Sequence, residues 1–145
     1  MQVTDRVCVV TGGGSGIGKA LCERFAADGA RKVIVVDRAA DNATAVANAI
    51  GGDAEVVDVG DETEITEMLL RVEDTYGPID VLCNNAGIAS GGNPLDTPID
   101  EWQRQWDINV MSHVYAIRAV LPSMLARGEG HIQHTASMAG ILTSH

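Results

Sequence analysis

Short apolar runs that alternate with helical patterns do most to restrict what this chain can become. Arg6 to Val10 is a short β-branched run that ends at Thr11-Gly12, and Lys32 to Asp37 encloses Val33-Ile34-Val35-Val36. Glu55 to Asp58 and Ile79 to Cys83 read as a third and a fourth strand. Apolar runs that do not alternate with polar residues suit strands of a parallel sheet covered on both faces. Between them lie helical patterns. Ile17, Leu21 and Phe25 recur every fourth residue from Gly16 to about Asp28, which marks one helical face. Asp41 opens an Ala-rich helix that ends before Gly51-Gly52. Asp61 and Glu64 read as a capping pair for a helix carrying Ile65, Met68, Leu69, Val72 and Tyr76, which Gly77-Pro78 terminates.

The second half continues the pattern. Ala89 to Pro94 is a Gly-rich loop. Thr97-Pro98 is a helix start with proline at the first position. The long helix that follows has Val110, Val114, Ile117, Leu121 and Met124 on one face, with Pro122 placed to kink it. Gly128-Glu129-Gly130 leads into a fifth strand near His131 to Thr135. The order βαβαβαβαβ predicts an α/β fold: a doubly wound parallel sheet of at least five strands with right-handed crossovers. No repeat beyond that alternation, no linker and no second domain are visible, so residues 1–145 read as one domain.

Charge and cysteine usage narrow the partners. Ten basic residues against twenty acidic ones give a formal charge of −10, which argues against nucleic acid and against an anionic membrane surface. Cys8 and Cys83 lie within apolar strands, there is no C-x-x-C pair, and both read as buried thiols of a reducing compartment. Asp5 and Arg6 interrupt any signal-like start, and no apolar run approaches the roughly 18 residues of a membrane span. The default expectation is a cytoplasmic protein.

Thr11 to Gly18 reads Thr-Gly-Gly-Gly-Ser-Gly-Ile-Gly and joins the first strand to the first helix. Glycines at 12, 14 and 16 allow a tight turn and a close approach of backbone to a pyrophosphate. Ser15, Gly16 and Ile17 stand where the helix N-terminus offers free amides to phosphates, and Gly18 allows close packing of helix on sheet. The strict G-x-G-x-x-G spacing is absent, because Ile17 stands where its third glycine would fall. Asp37, nineteen residues after Gly18, ends the second strand, and a carboxylate there can accept from both hydroxyls of an adenosine ribose. It would repel a 2′-phosphate and so favours NAD over NADP. Arg38 pulls the other way, since a guanidinium can clasp that phosphate.

With these features the chain resembles the classical short-chain dehydrogenases/reductases over essentially its whole length. Thr11-Gly12-x-x-x-Gly16-x-Gly18 matches that family's cofactor loop. Asp58-Val59 resembles its adenine-contacting pair, and Asn84-Asn85-Ala86-Gly87 its motif after the fourth strand. Asn109, in Ile108-Asn109-Val110, and Ser137, in Thr135-Ala136-Ser137-Met138-Ala139-Gly140, match its catalytic asparagine and serine. The resemblance implies a Rossmann-type fold and a hydride transfer between NAD(H) and a secondary alcohol or carbonyl compound. In that reading the Ser137 hydroxyl steadies the substrate oxygen, and Asn109 holds a water of the proton relay. It also implies a homo-oligomer, dimer or tetramer, paired through the long Trp102 to Met124 helix.

The sequence departs from that pattern in places. The family's tyrosine has a lysine four residues on, but Tyr76 and Tyr115 are followed there by Asp80 and Ala119. The pair is therefore expected past His145, and the chain as written is expected to be an incomplete cofactor-binding portion that does not catalyse the reaction. Gln133 and His134 replace an apolar residue and an asparagine. His131 and His134, three apart on a strand, point to opposite faces, so a hydrogen-bonded structural histidine is expected and no metal site. Trp102 and Trp106 suit packing or a subunit contact better than a stacking platform. Two alternatives remain: a dinucleotide-binding module without catalysis, and a methyltransferase of similar fold. Thr11 and the Asn84 to Gly87 motif speak against the methyltransferase.

Overall fold

The computed structural model describes residues 2–89, 93 and 95–138. Five strands, β1 (Val7–Thr11), β2 (Lys32–Asp37), β3 (Asp53–Val56), β4 (Val81–Asn84) and β5 (His131–His134), form one sheet in the order β3-β2-β1-β4-β5. Every neighbouring pair is parallel. The helices are α1 (Gly16–Ala27), α2 (Ala40–Ile50), α3 (Glu62–Tyr76), α4 (Ile99–Trp106) and α5 (Ser112–Arg127). The strand order reverses between β1 and β4, and such a switch leaves a crevice at the carboxyl ends of these two strands. This is the expected doubly wound, Rossmann-like α/β fold.

Strand periodicity divides the core in two. Val7 and Val9 of β1 join Ile34, Leu82, Met68, Leu69 and Val120 in the layer covered by α3 and α5. Cys8 and Val10 join Val33, Val35, Cys22, Val46 and Cys83 in the layer covered by α1 and α2. All three cysteines are thus buried, and burial pushes their thiols up to about 12 for Cys8, 12 for Cys22 and 11 for Cys83.

Several boundaries differ from the expectation, each for a nonlocal reason. β1 begins at Val7, because the Arg6 amide turns back to the Val3 carbonyl. β3 lies two residues earlier than Glu55 to Asp58, since its ladder pairs Ile34 with Asp53 and Asp37 with Val56. β4 begins at Val81, because the Ile79 amide goes to Glu73 Oε1. Asp41 lies in the first turn of α2, whose N-cap is Ala39. Asp61 caps α3 through the Thr63 and Glu64 amides, but Glu64 answers to the Asp58 amide rather than to that of Asp61. Pro98 is the N-cap of α4, not its first helical residue.

The long helix departs most. A π-helical turn, Asp107–Met111, separates α4 from α5 and rotates the faces. The buried side is Ile108, Ser112, Ala116, Val120 and Met124. Of the expected stripe only Met124 is buried, and Val110 and Val114 are exposed. α5 runs through Pro122 without ending. Trp102 and Trp106 are 49% and 55% exposed, so packing within the described chain does not account for them.

β5 also carries the polar residues noted in the sequence. Gln133 Oε1 lies 3.8 Å from the Cys83 thiol. His134 Nδ1 lies 3.4 Å from Asn84 Nδ2, and its ring packs on His113 with centroids 4.9 Å apart. His113 Nε2 is buried without a hydrogen-bond partner among the described residues, and burial, then the neighbouring His134, hold its pKa below the usual histidine value.

Candidate functional site

The crevice at the switch point is a cleft of about 380 Å³. Gly12, Ser15, Gly16, Ile17, Asp37, Arg38, Asp58, Val59, Asn85, Ala86 and Gly87 line it, as the sequence reading anticipates. Val57, Ile88, Ile108 and Thr135 line it too and were not anticipated. Asn109 and Ser137 stand outside that lining. Of the Gly-rich loop from Ala89 to Pro94, only Ala89 and Asn93 are described, and Ala139-Gly140 lie outside the described residues.

The glycine turn is shaped by contacts that a side chain would block. Gly12 has φ +66°, and a Cβ on Gly18 would lie 2.1 Å from the Gly12 carbonyl oxygen. A Cβ on Gly14 would lie 2.8 Å from Asp37 Oδ2. Gly14 and Gly18 therefore shape the site without lining it. α1 begins directly behind the turn. Its first amides, at Gly16, Ile17 and Gly18, have no carbonyl to bond within the helix. Ser15 provides no side-chain cap, and the first turn contains no acidic residue. An anion at this position meets the positive end of the helix dipole unopposed.

Asp37 is fixed at the end of β2. Its Oδ2 accepts from the Gly14 amide and its Oδ1 from the Ala39 amide, each at 3.0 Å. A carboxylate has about four acceptor positions, so two remain for hydroxyl donors. Asp58, at the exit of β3, accepts from the Gly60 amide at 2.9 Å and from Arg104 at 2.6 Å. Burial pushes the Asp58 carboxyl up. The Arg104 hydrogen bond, the Gly60 amide and the charges of Arg104 and Arg38 together pull it further, to below the usual carboxylate range.

One hydroxyl ties the loops after β1 and β4 together. Thr11 Oγ1 accepts from the Asn85 amide at 3.0 Å and the Ala86 amide at 3.1 Å, and Asn85 Nδ2 donates to the Thr11 carbonyl at 3.1 Å. Thr135 extends the tie to the end of β5 by donating to Asn85 Oδ1 at 3.0 Å. Sequence reasoning named both threonines only as parts of longer motifs and gave neither side chain a role. Their positions at strand ends beside the Asn-Asn-Ala-Gly segment were the available signal.

Asn109 sits within the π-helical turn. Its Oδ1 accepts from the Ile88 amide and its Nδ2 donates to the Ile88 carbonyl, both at 2.9 Å. One oxygen lone pair and one amide hydrogen remain for a water. Ser137 is exposed beyond the end of β5. No helix among the described residues is long and apolar enough to cross a membrane.

Comparison with known proteins agrees with this architecture. An uncharacterized oxidoreductase of Staphylococcus aureus (strain MRSA252) is 36% identical over 141 residues, 95% of this chain and 61% of that protein. The chain thus spans about three fifths of the curated relatives it matches. A 7α-hydroxysteroid dehydrogenase solved with NADH and 7-oxo glycochenodeoxycholic acid superposes with a TM-score of 0.89 at 32% identity. That match covers 99% of this chain and 57% of that one. A Brucella melitensis structure described as a ribose-5-phosphate isomerase reaches a TM-score of 0.93 at 36% identity, covering 99% of this chain and 56% of that one. Architecture alone therefore does not select a reaction. The family model for short chain dehydrogenases matches residues 6–145, and the chain belongs to that family.

Proposed function

We propose that the crevice binds a nicotinamide dinucleotide, NAD in preference to NADP, and that the chain is the cofactor-binding part of an oxidoreductase acting on an alcohol or carbonyl compound. One observation carries this reading. A helix N-terminus without an acidic residue opens onto the same cleft as a strand-end carboxylate already fixed by two backbone amides. The first suits a pyrophosphate and the second a pair of ribose hydroxyls. When bound, the cofactor supplies or takes up the hydride. Gly12, Ser15, Gly16 and Ile17 would hold its phosphates, Asp37 its adenosine ribose, Asp58 and Val59 its adenine, and Asn85, Ala86 and Gly87 would run beneath its central part.

The chain's own groups would serve the reaction by position. Asn109 clamps the backbone at Ile88 and keeps donor and acceptor capacity for one water. The Ser137 hydroxyl would donate to a substrate oxygen as charge develops there. Asp37 supports the preference for NAD, because a 2′-phosphate beside it would meet a carboxylate whose position is fixed. The formal charge of −10 supports small-molecule partners over nucleic acid.

Calorimetric titration with NADH, NADPH and S-adenosylmethionine tests this reading. NADH should bind more tightly than NADPH, and S-adenosylmethionine should not bind. Tighter NADPH binding would reverse the cofactor preference, and binding of the methyl donor alone would end the dehydrogenase reading. The exposed apolar side of α4 and α5, with Trp102, Trp106 and Val114, is read as a contact between copies. Sedimentation should show a dimer or tetramer that Trp106→Glu weakens.

A further inference from the structure

Arg104 reaches the crevice from outside its lining. It belongs to α4, which has no buried side chain, and donates to the carboxylate of Asp58, forty-six positions earlier, at 2.6 Å. The approach is close. A Cβ on Gly60 would lie 2.9 Å from Arg104 Nη1, so the glycine leaves room for the guanidinium. Both partners are more than a third exposed, and ion pairs of that kind add little to stability. Apolar burial does not press α4 into this position either. The consequence of the pair therefore lies in what it does to Asp58.

Asp58 Oδ1 is engaged by the Gly60 amide and Oδ2 by Arg104. Arg38 lines the same cleft, and its charge also acts on Asp58. Without Arg104, Oδ2 would lose its partner and only the Gly60 amide at Oδ1 would hold the carboxylate. With Arg104 in place, its remaining lone pairs form an edge that only accepts hydrogen bonds. Such an edge favours a ring that presents an amino group and repels one that presents a carbonyl oxygen.

We propose that Arg104 is a positioning residue that fixes Asp58 as a selective acceptor for the 6-amino group of the adenine base. The proposal rests on the dinucleotide reading above and assigns base selectivity within that site. Arg104 itself does not touch the ligand. It acts by holding Oδ2 of Asp58 while the Gly60 amide holds Oδ1.

Calorimetric dissociation constants for NADH and for reduced nicotinamide hypoxanthine dinucleotide, in which a carbonyl replaces the amino group, test the proposal. The purified wild type should prefer NADH by about tenfold, the size of one hydrogen bond to a charged group. Arg104→Gln should weaken NADH about tenfold and the hypoxanthine compound less than twofold, erasing the preference. Arg104→Lys, which keeps the charge but not the planar fork, should retain an intermediate preference. This second variant carries the test if the glutamine variant does not fold. Equal weakening of both compounds, or an unchanged preference, would overturn the role of Arg104 while leaving the dinucleotide site intact. If the wild type binds neither compound, the dinucleotide reading fails and this proposal with it.

Discussion

The two sides of the sheet's switch point are built differently. On the β1–β2–β3 side, polar groups near the crevice satisfy one another. Asp37 takes two amides, Asp58 takes an amide and a guanidinium, and α1 starts from a turn that tolerates no side chain at 18. On the β4–β5 side, β5 has three exposed residues of four, a π-helical turn interrupts the long helix, and His113 keeps a buried nitrogen without a partner among the described residues. The first side is fixed mainly by bonds among residues 11–60 and by the β1–β2 and β2–β3 ladders, with Arg104 reaching in from α4. The second depends on contacts across the chain. Preorganised binding groups are expected where packing and supporting hydrogen bonds lock their rotamers on rigid elements.

Perturbing the two sides should give unequal responses, and the largest belongs to the glycine turn. Gly18→Ala places a methyl on the Gly12 carbonyl. It should abolish NADH binding and lower stability by about 3 kcal/mol or more, beyond ordinary overpacking because backbone must move. Calorimetry and urea unfolding would read both, and wild-type behaviour would refute the packing argument. Leu82 and Ile132 are partners in the β4–β5 ladder, yet only Leu82 is fully buried. Leu82→Ala should cost about 3 kcal/mol and Ile132→Ala about 1 kcal/mol. Equal losses in urea unfolding would erase the contrast between the two strands.

The remaining effects are smaller. Asp37→Asn replaces one of the two acceptors with a donor facing an amide, and should weaken NADH about tenfold, roughly 1.4 kcal/mol. Unchanged affinity would remove Asp37 from the site. Last comes pH. His113 has a lowered pKa when folded, so below its unfolded value near 6.5 the unfolded chain takes up a proton that the folded one refuses. Stability should therefore be flat with respect to this group above pH 6.5 and fall as pH drops through the window down to the folded value. The slope for one group cannot exceed about 1.4 kcal/mol per pH unit. His113→Leu should flatten the profile, and an unaltered profile would show that another group dominates.

The same contrast explains what was legible in the sequence. β2 and α1 were readable because Val33 to Val36 and the four-residue spacing of Ile17, Leu21 and Phe25 are local signals, although α1 buries Gly18 and Cys22, half-buries Leu21 and Phe25, and leaves Ile17 exposed. The glycine turn was readable because a backbone that excludes Cβ atoms writes itself directly into composition. β3 was misplaced by two residues because Glu55 to Asp58 looks as strand-like as Asp53 to Val56, and only pairing with β2 decides between them. The outer face of the long helix was mistaken for an inner one because the extra residue of a π-helical turn leaves no apolar signature. Residues that carry their own chemistry, such as Asp37 and Asp58, were singled out from the sequence and line the crevice. Ile108 and Thr135, which also line it, and the tie made by the Thr11 hydroxyl were not anticipated, because they depend on neighbours distant in sequence.

The burial of all three cysteines has a practical consequence. With thiols pushed up to between about 11 and 12, almost no thiolate exists near neutral pH, and the thiolate is the reactive form. Alkylating reagents and mild oxidants should therefore find no quick target in the folded chain. Reaction at these positions requires the layer between the sheet and α1–α2 to open. The rate of iodoacetamide labelling becomes a clock for that opening, and a ligand that holds the glycine turn to the sheet should slow it.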